Sequence, residues 1–149
     1  MEKIGKRAIA LDLGDSRIGV AISDLTKTIA GASEVKPRTT NDEDAQYFVN
    51  LAAAQNADII VVGLPKNMDG TEGERASAAR LFGAEIQKLN AQIRVVFMDE
   101  RLSTVSAERV LKQAEMRWQN RKKVVDKVAA ALILQNYLDT LNFGGYKNE

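Results

Sequence analysis

The segment Asp58-Ile-Ile-Val-Val-Gly63 is apolar at every position between its ends. A strand with one wet face alternates polar and apolar residues. A strand with no alternation is buried on both faces, the pattern of inner strands in a parallel sheet covered by helices. This run points to an α/β fold, and the flanking sequence supplies the other elements.

Arg7 to Leu13 reads as a strand, Gly14-Asp15-Ser16 as a turn, and Ile18 to Ser23 as a second strand, so the first pair is an antiparallel hairpin. A third strand, from about Thr28 to Lys36, should stop before Pro37. Thr40 with Glu43 forms a capping box, and Ala45, Phe48, Val49 and Ala52 then recur at helical spacing. After the apolar run, Pro65 to Gly73 reads as a loop, and Thr71 with Glu74 as a second capping box. Ala79, Phe82, Ile86 and Leu89 give the buried stripe of the helix that follows. Ile93 to Met98 is a fifth strand. Ala107, Val110, Leu111 and Ala114 mark another helix, and a last one runs from about Val124 to Leu141. That last helix is apolar nearly all round from Val128 to Leu134, so it should lie deep. The order is β-β-β-α-β-α-β-α-α in a single domain over 1–149, with 142–149 as a loosely held tail.

Composition narrows the chemistry. With no cysteine and no histidine, the chain has no thiol nucleophile, no thiolate or imidazole zinc site and no Ser-His-Asp triad. Carboxylates, hydroxyls, Lys and Arg remain, and a hard, oxygen-bound cation is their natural helper. The N-terminus lacks the pattern of a signal peptide and no apolar run approaches the roughly 20 residues that span a bilayer, so a cytosolic protein without a membrane partner is expected.

Three acids occupy places where a solvated charge is not expected. Asp12 lies near the end of the first strand, on the face of Ala8 and Ala10. A carboxylate facing a core needs a partner, unless this one simply caps the Gly14 turn. Glu100 closes the fifth strand. In open α/β sheets ligands gather beyond the carboxyl ends of strands, where Asp12 and Glu100 would both lie. Asp126 begins the most apolar helix, where the dipole alone could explain it. Ala129 and Ala130 on its own face would, however, let that helix approach the sheet closely. Three converging carboxylates need a cation, and Mg²⁺ or Mn²⁺ fits an all-oxygen site. Two such ions can activate a water and stabilise the leaving oxygen of a phosphodiester.

The net charge is only +1, but Arg101 to Lys127 holds eight basic and three acidic residues and flanks two of the acids. Such a face, which includes Lys122 and Lys123, would take phosphates in a salt-sensitive way. Trp118 within it either packs between helices or stacks on a base. In the Pro65 to Gly73 loop, Lys66 and Asn67 could reach a phosphate; otherwise the loop is a plain connection.

Four segments together resemble the YqgF family: Asp12-Leu-Gly-Asp-Ser-Arg-Ile-Gly-Val-Ala-Ile-Ser-Asp24, Val62-Gly-Leu-Pro-Lys-Asn-Met-Asp-Gly70, Met98-Asp-Glu-Arg-Leu-Ser-Thr104, and the stretch from Val125 to Asp139. Members of that family are described as Holliday-junction resolvases and as pre-16S ribosomal RNA nucleases. The resemblance implies a ribonuclease-H-like fold: a five-stranded mixed sheet of order 3-2-1-4-5, strand 2 antiparallel, with helices on both faces. It places the family's acidic triad on Asp12, Glu100 and Asp126. Arg17 falls on its hairpin arginine, and Arg101 on the arginine after the catalytic Glu. Asp15-Ser16 stands where Thr-Lys is more frequent, which removes a positive charge near the hairpin.

The expected function is a Mg²⁺- or Mn²⁺-dependent endonuclease for structured nucleic acid. By the resemblance it would mature the 5′ end of pre-16S rRNA on ribosome precursors. The alternatives are resolution of branched DNA, which needs a dimer rather than a monomer, and a non-catalytic nucleic-acid- or ribosome-binding module.

Overall fold

The structure is a computed structural model that describes residues 6–100 and 121–143, with side chains in the second stretch from 128 to 142. The helix expected around Ala107 to Ala114, Arg101 and Trp118 lie outside the described residues.

Five strands form one sheet in the order β3-β2-β1-β4-β5. They are β1 (Arg7–Leu13), β2 (Arg17–Ser23), β3 (Ala30–Pro37), β4 (Ala57–Leu64) and β5 (Arg94–Asp99). The β1–β2 and β2–β3 pairs are antiparallel, whereas β1–β4 and β4–β5 are parallel. The expected sheet order and the reversed β2 are therefore both present. The hairpin closes through Gly14, whose N–H donates to the Arg17 carbonyl at 2.9 Å. A Cβ at Gly14 would lie 2.7 Å from that oxygen, so the tight closure requires glycine.

Helices α1 (Asn41–Ala54) and α2 (Glu74–Leu89) cover one face and α3 (Arg121–Phe143) covers the other. Strand parity divides the core between them. Ile9, Leu11, Ile18, Val20, Ile60 and Val62 pack with Phe48 and Phe82 under α1 and α2. Ala8, Ala10, Ala21, Ile59, Val61 and Met98 pack with Ala130, Ile133, Leu134 and Leu138 of α3. The alanines on both partners let α3 lie close to the sheet, and its central residues are buried as their composition requires. At its far end, Gln135 donates to the Thr28 carbonyl and accepts from the Ala30 N–H. Asn142 donates to the Lys27 carbonyl. The C-terminal half of α3 is thus tied to the β2–β3 turn, which leaves its N-terminal half toward the C-terminal ends of β1, β4 and β5.

Three local expectations need correction. Thr40 caps α1 by accepting from the Glu43 N–H, but Thr71 does not cap α2. Asp69 takes both the Thr71 N–H and its hydroxyl, so Gly73 becomes the N-cap with no side-chain bond. Leu89, the final residue of α2, is 41% exposed instead of completing the buried stripe. Its helix ends there, with Asn90 as the C-cap. Finally, β3 continues through Pro37, which an edge strand tolerates because no ladder hydrogen bond is asked of its nitrogen.

A buried charge sits where α1 begins. Asp44 is fully buried and accepts from Lys36 Nζ at 2.5 Å, Arg38 Nε at 2.9 Å, and both the N–H and hydroxyl of Thr39. Burial pushes its carboxyl up, but these donors outweigh that and hold it at about 2. Arg38 passes the constraint on, since its Nη1 donates to the Gly14 carbonyl and its N–H to the Ser16 carbonyl. Asp44 thereby fixes the β1–β2 turn from outside the hairpin.

Candidate active site

The register of the parallel strands places Leu11 beside Val62, and Gly63 beside Met98. Asp12 is therefore beside Gly63, and Glu100 lies two residues beyond Met98, so the three share the face turned to α3 at the C-terminal edge of the sheet. Glu100 lies one residue beyond β5. Its N–H still bonds the Leu64 carbonyl at 3.2 Å, so its side chain keeps the parity of Met98.

Gly63 makes the approach of the two acids possible. A Cβ there would run into Glu100 Oε2 and stand 2.6 Å from Ile133 Cδ1. Because it has none, the Glu100 carboxyl settles over β4 and hydrogen-bonds Asp12. Glu100 as a residue is exposed, yet its carboxyl end is tucked in. Loss of water, then the Asp12 charge and its hydrogen bond, push the group up to about 7; Arg75 offsets part of this and Asp99 adds to it.

Glu100 therefore weakens the fold when ionised. Its folded value lies above the ordinary 4.5, so the cost is absent below about pH 4.5, grows toward pH 7 and is complete above it. Glu100→Gln, permanently neutral, is expected to melt above wild type at pH 8 in EDTA, with the two converging near pH 4. A variant that melts lower at pH 8 would contradict the strained pair.

Two carboxyls pressed together, with one arginine as partial compensation, suit a hard divalent cation. It would relieve their repulsion and accept their oxygens. Among the described residues, no set of three acidic, His or Cys groups gathers into a ligand cluster. The third expected ligand, Asp126, lies on the described backbone of α3, seven residues or two turns before Ile133, but its side chain is outside the described residues. The same holds for Lys122 and Lys123.

Arg17 lies on the same face of β2 as Gly19, the partner of Asp12, and so faces the α3 side near the acid pair. Lys66 and Asn67 sit on the loop after β4. The Asn67 amide donates to Thr71 Oγ1 at 2.9 Å, and its backbone N–H to the Thr71 carbonyl, so Asn67 braces the loop. Gly70, with φ 89°, supplies its turn. Two residues escaped the sequence reading. Gly63 was visible only as the end of a strand, and Arg75, in the first turn of α2, carries no motif of its own.

The family model for RuvX, described as Holliday junction resolvase, matches residues 6–140. The chain belongs to the RuvX family. RuvX and YqgF name the same family, so the resemblance read from four motifs holds across the chain. A relative from Halothermothrix orenii is 48% identical over 137 residues, covering 91% of this chain and 96% of its own. One from Bacillus licheniformis is 45% identical over 141 residues, covering 91% and 99%. Both carry the name "Putative pre-16S rRNA nuclease". Among solved structures, T. thermophilus RuvC in complex with Holliday junction substrate aligns with a TM-score of 0.60 at 11% identity, covering 93% of this chain and 96% of that one. The fowlpox virus resolvase in complex with substrate Holliday junction DNA aligns with a TM-score of 0.56 at 11% identity, covering 91% and 98%. At such identity the likeness is one of fold, and it confirms the ribonuclease-H-like architecture of this RuvX chain.

Proposed function

We propose that this RuvX chain is a divalent-metal-dependent endonuclease of structured nucleic acid that trims the 5′ end of pre-16S rRNA during ribosome biogenesis in the cytoplasm. The observation that carries the metal-dependent reading is the Asp12–Glu100 pair over Gly63, at the sheet edge where α/β proteins place their ligands. The names of the relatives from H. orenii and B. licheniformis support the RNA substrate.

Asp12 and Glu100, with Asp126 from α3, are the residues that would hold Mg²⁺ or Mn²⁺, as a pair of ions with substrate in place. Cations held there would supply Lewis acidity and an activated water for phosphodiester hydrolysis. The chain's own part is to bring two acids to one point, keep them oriented by the rigid parallel strands, and receive the backbone of the nucleic acid. Arg17 from the hairpin, Lys66 from the loop, Arg101 after Glu100, and Lys122 and Lys123 at the start of α3 bind phosphates, while Asn67 keeps the loop in shape. No histidine is required for any of this.

The test is incubation with Mn²⁺ and three substrates: pre-16S rRNA 5′ leader, single-stranded RNA and four-way junction DNA. Wild type is expected to cut the leader, and Asp12→Asn to lower turnover by roughly a thousandfold or more while melting no lower than wild type. The family description as Holliday junction resolvase favours one second reading, in which the junction is cut instead. Symmetric junction cutting needs two sites, so a protein that stays monomeric on the junction speaks for the RNA.

A further inference from the structure

We infer that Arg75 is a substrate-contacting residue of this site, a guanidinium that grips a backbone phosphate beside the acid pair and is held by Asp15 until the substrate displaces it. The inference rests on the nuclease reading and adds a residue to it.

Three elements meet at this point. Asp15 is on the β1–β2 turn, three residues beyond Asp12, and α2 brings Arg75 Nη2 to 3.6 Å from Asp15 Oδ2. From the same place the arginine acts electrostatically on Glu100, beyond β5. Arg75 therefore lies beside the turn, within electrostatic reach of Glu100, and its side chain is 69% exposed.

Two other arginines, Arg80 and Arg38, are committed to the framework. Arg80, further along α2, is held by both oxygens of Glu72 at 2.7 Å, and Arg38 is bound by Asp44 and the Gly14 carbonyl. The Arg75–Asp15 contact is of another kind: long, and with Asp15 92% exposed. Such a pair contributes little to stability. It does orient the guanidinium toward the turn. A cation in the first turn of a helix is also opposed by the helix dipole, so the fold gains nothing from a positive charge there. A phosphodiester reverses that balance, because its two non-bridging oxygens match the guanidinium fork better than a loosely held carboxylate does. Asp15 then yields its place to the substrate at small cost.

A double-mutant cycle on wild type, Arg75→Ala, Asp15→Asn and the double variant tests this, with Arg75→Lys as a fifth protein. Binding of the pre-16S leader is measured in EDTA across a KCl series, and kcat/KM in Mn²⁺. Arg75→Ala is expected to lower kcat/KM roughly 100-fold and to flatten the slope of log affinity against log salt by about one. Arg75→Lys should restore the slope but not the full rate, since it keeps the charge and loses the fork. Asp15→Asn should tighten binding, and most of that gain should vanish without Arg75. Wild-type rate and slope in Arg75→Ala, or an equal Asp15→Asn gain with and without Arg75, would overturn the assignment. If wild type cuts nothing, or Asp12→Asn cuts as well as wild type, the nuclease reading fails; the binding cycle still decides Arg75.

Discussion

Gly63→Ala is expected to fold and to cleave about 100-fold more slowly than wild type. The reason is geometric. The added Cβ meets Glu100 Oε2 and Ile133 Cδ1, both of them far ends of flexible side chains. Gly63 does not have a positive φ, so alanine suits its backbone. The protein can therefore accommodate the methyl by moving the two side chains, at an overpacking cost of about 1–3 kcal/mol. Moving Glu100 away from Asp12 is what costs activity, because a misplacement of about 1 Å in a reacting constellation can lose about two orders of magnitude. The check is kcat/KM in Mn²⁺ beside a thermal melt. A folded Gly63→Ala protein with wild-type cleavage would show that Glu100 need not sit over β4.

The largest expected loss of stability comes from Asp44→Ala. Removing this carboxylate leaves Lys36 and Arg38 without their buried anionic partner, and breaking such a pair typically costs about 3–5 kcal/mol. Domains of this size hold only about 5–15 kcal/mol in all, so the melting temperature should fall by roughly 10 °C or more. The pH dependence has a definite sign. Asp44 is lowered from 3.8 to about 2, so its contribution is complete above about pH 4 and is lost as the pH falls through 2. Wild type should therefore lose stability over that acid interval and Asp44→Ala should lose less, measured by urea denaturation at pH 2 to 5. A melting temperature within about 2 °C of wild type would contradict the buried network. Because Arg38 also holds the Gly14 and Ser16 carbonyls, surviving Asp44→Ala protein should show a looser hairpin turn, seen as faster amide exchange at Gly14 and Arg38.

The parts of the fold legible in the sequence are those with a local cause. Continuous apolar character marked β4 as a strand covered on both faces, and the three-residue link marked the hairpin. The parity of Asp12 with Ala8 and Ala10 put its carboxylate on the α3 face, and Glu100 stood out because it ends a strand. Gly63 was not legible, since its role depends on the register of β4 with β5 and on Ile133 arriving from a helix 70 residues later. Asp44 was hidden by a sufficient local explanation: acids are favoured in the first turn of any helix, and nothing in that pattern says that one of three will be buried. Thr71 shows the opposite failure. Its capping pattern was correct as a pattern, but Asp69 two residues earlier competes for the same hydroxyl and wins. Arg75 needed tertiary structure, because only the packing of α2 brings it to the β1–β2 turn.

The absence of histidine and cysteine agrees with a candidate site of carboxylate oxygens. The near-neutral charge agrees too, as a basic stretch offset by the rest of the chain. The most direct measurement of the central claim is Mn²⁺-dependent cleavage of the pre-16S leader by wild type, Asp12→Asn, Glu100→Gln and Asp126→Asn under one set of conditions. Cleavage by wild type that EDTA stops, and that falls by orders of magnitude in each variant, is the expected result. Cleavage that survives in all three variants would contradict it.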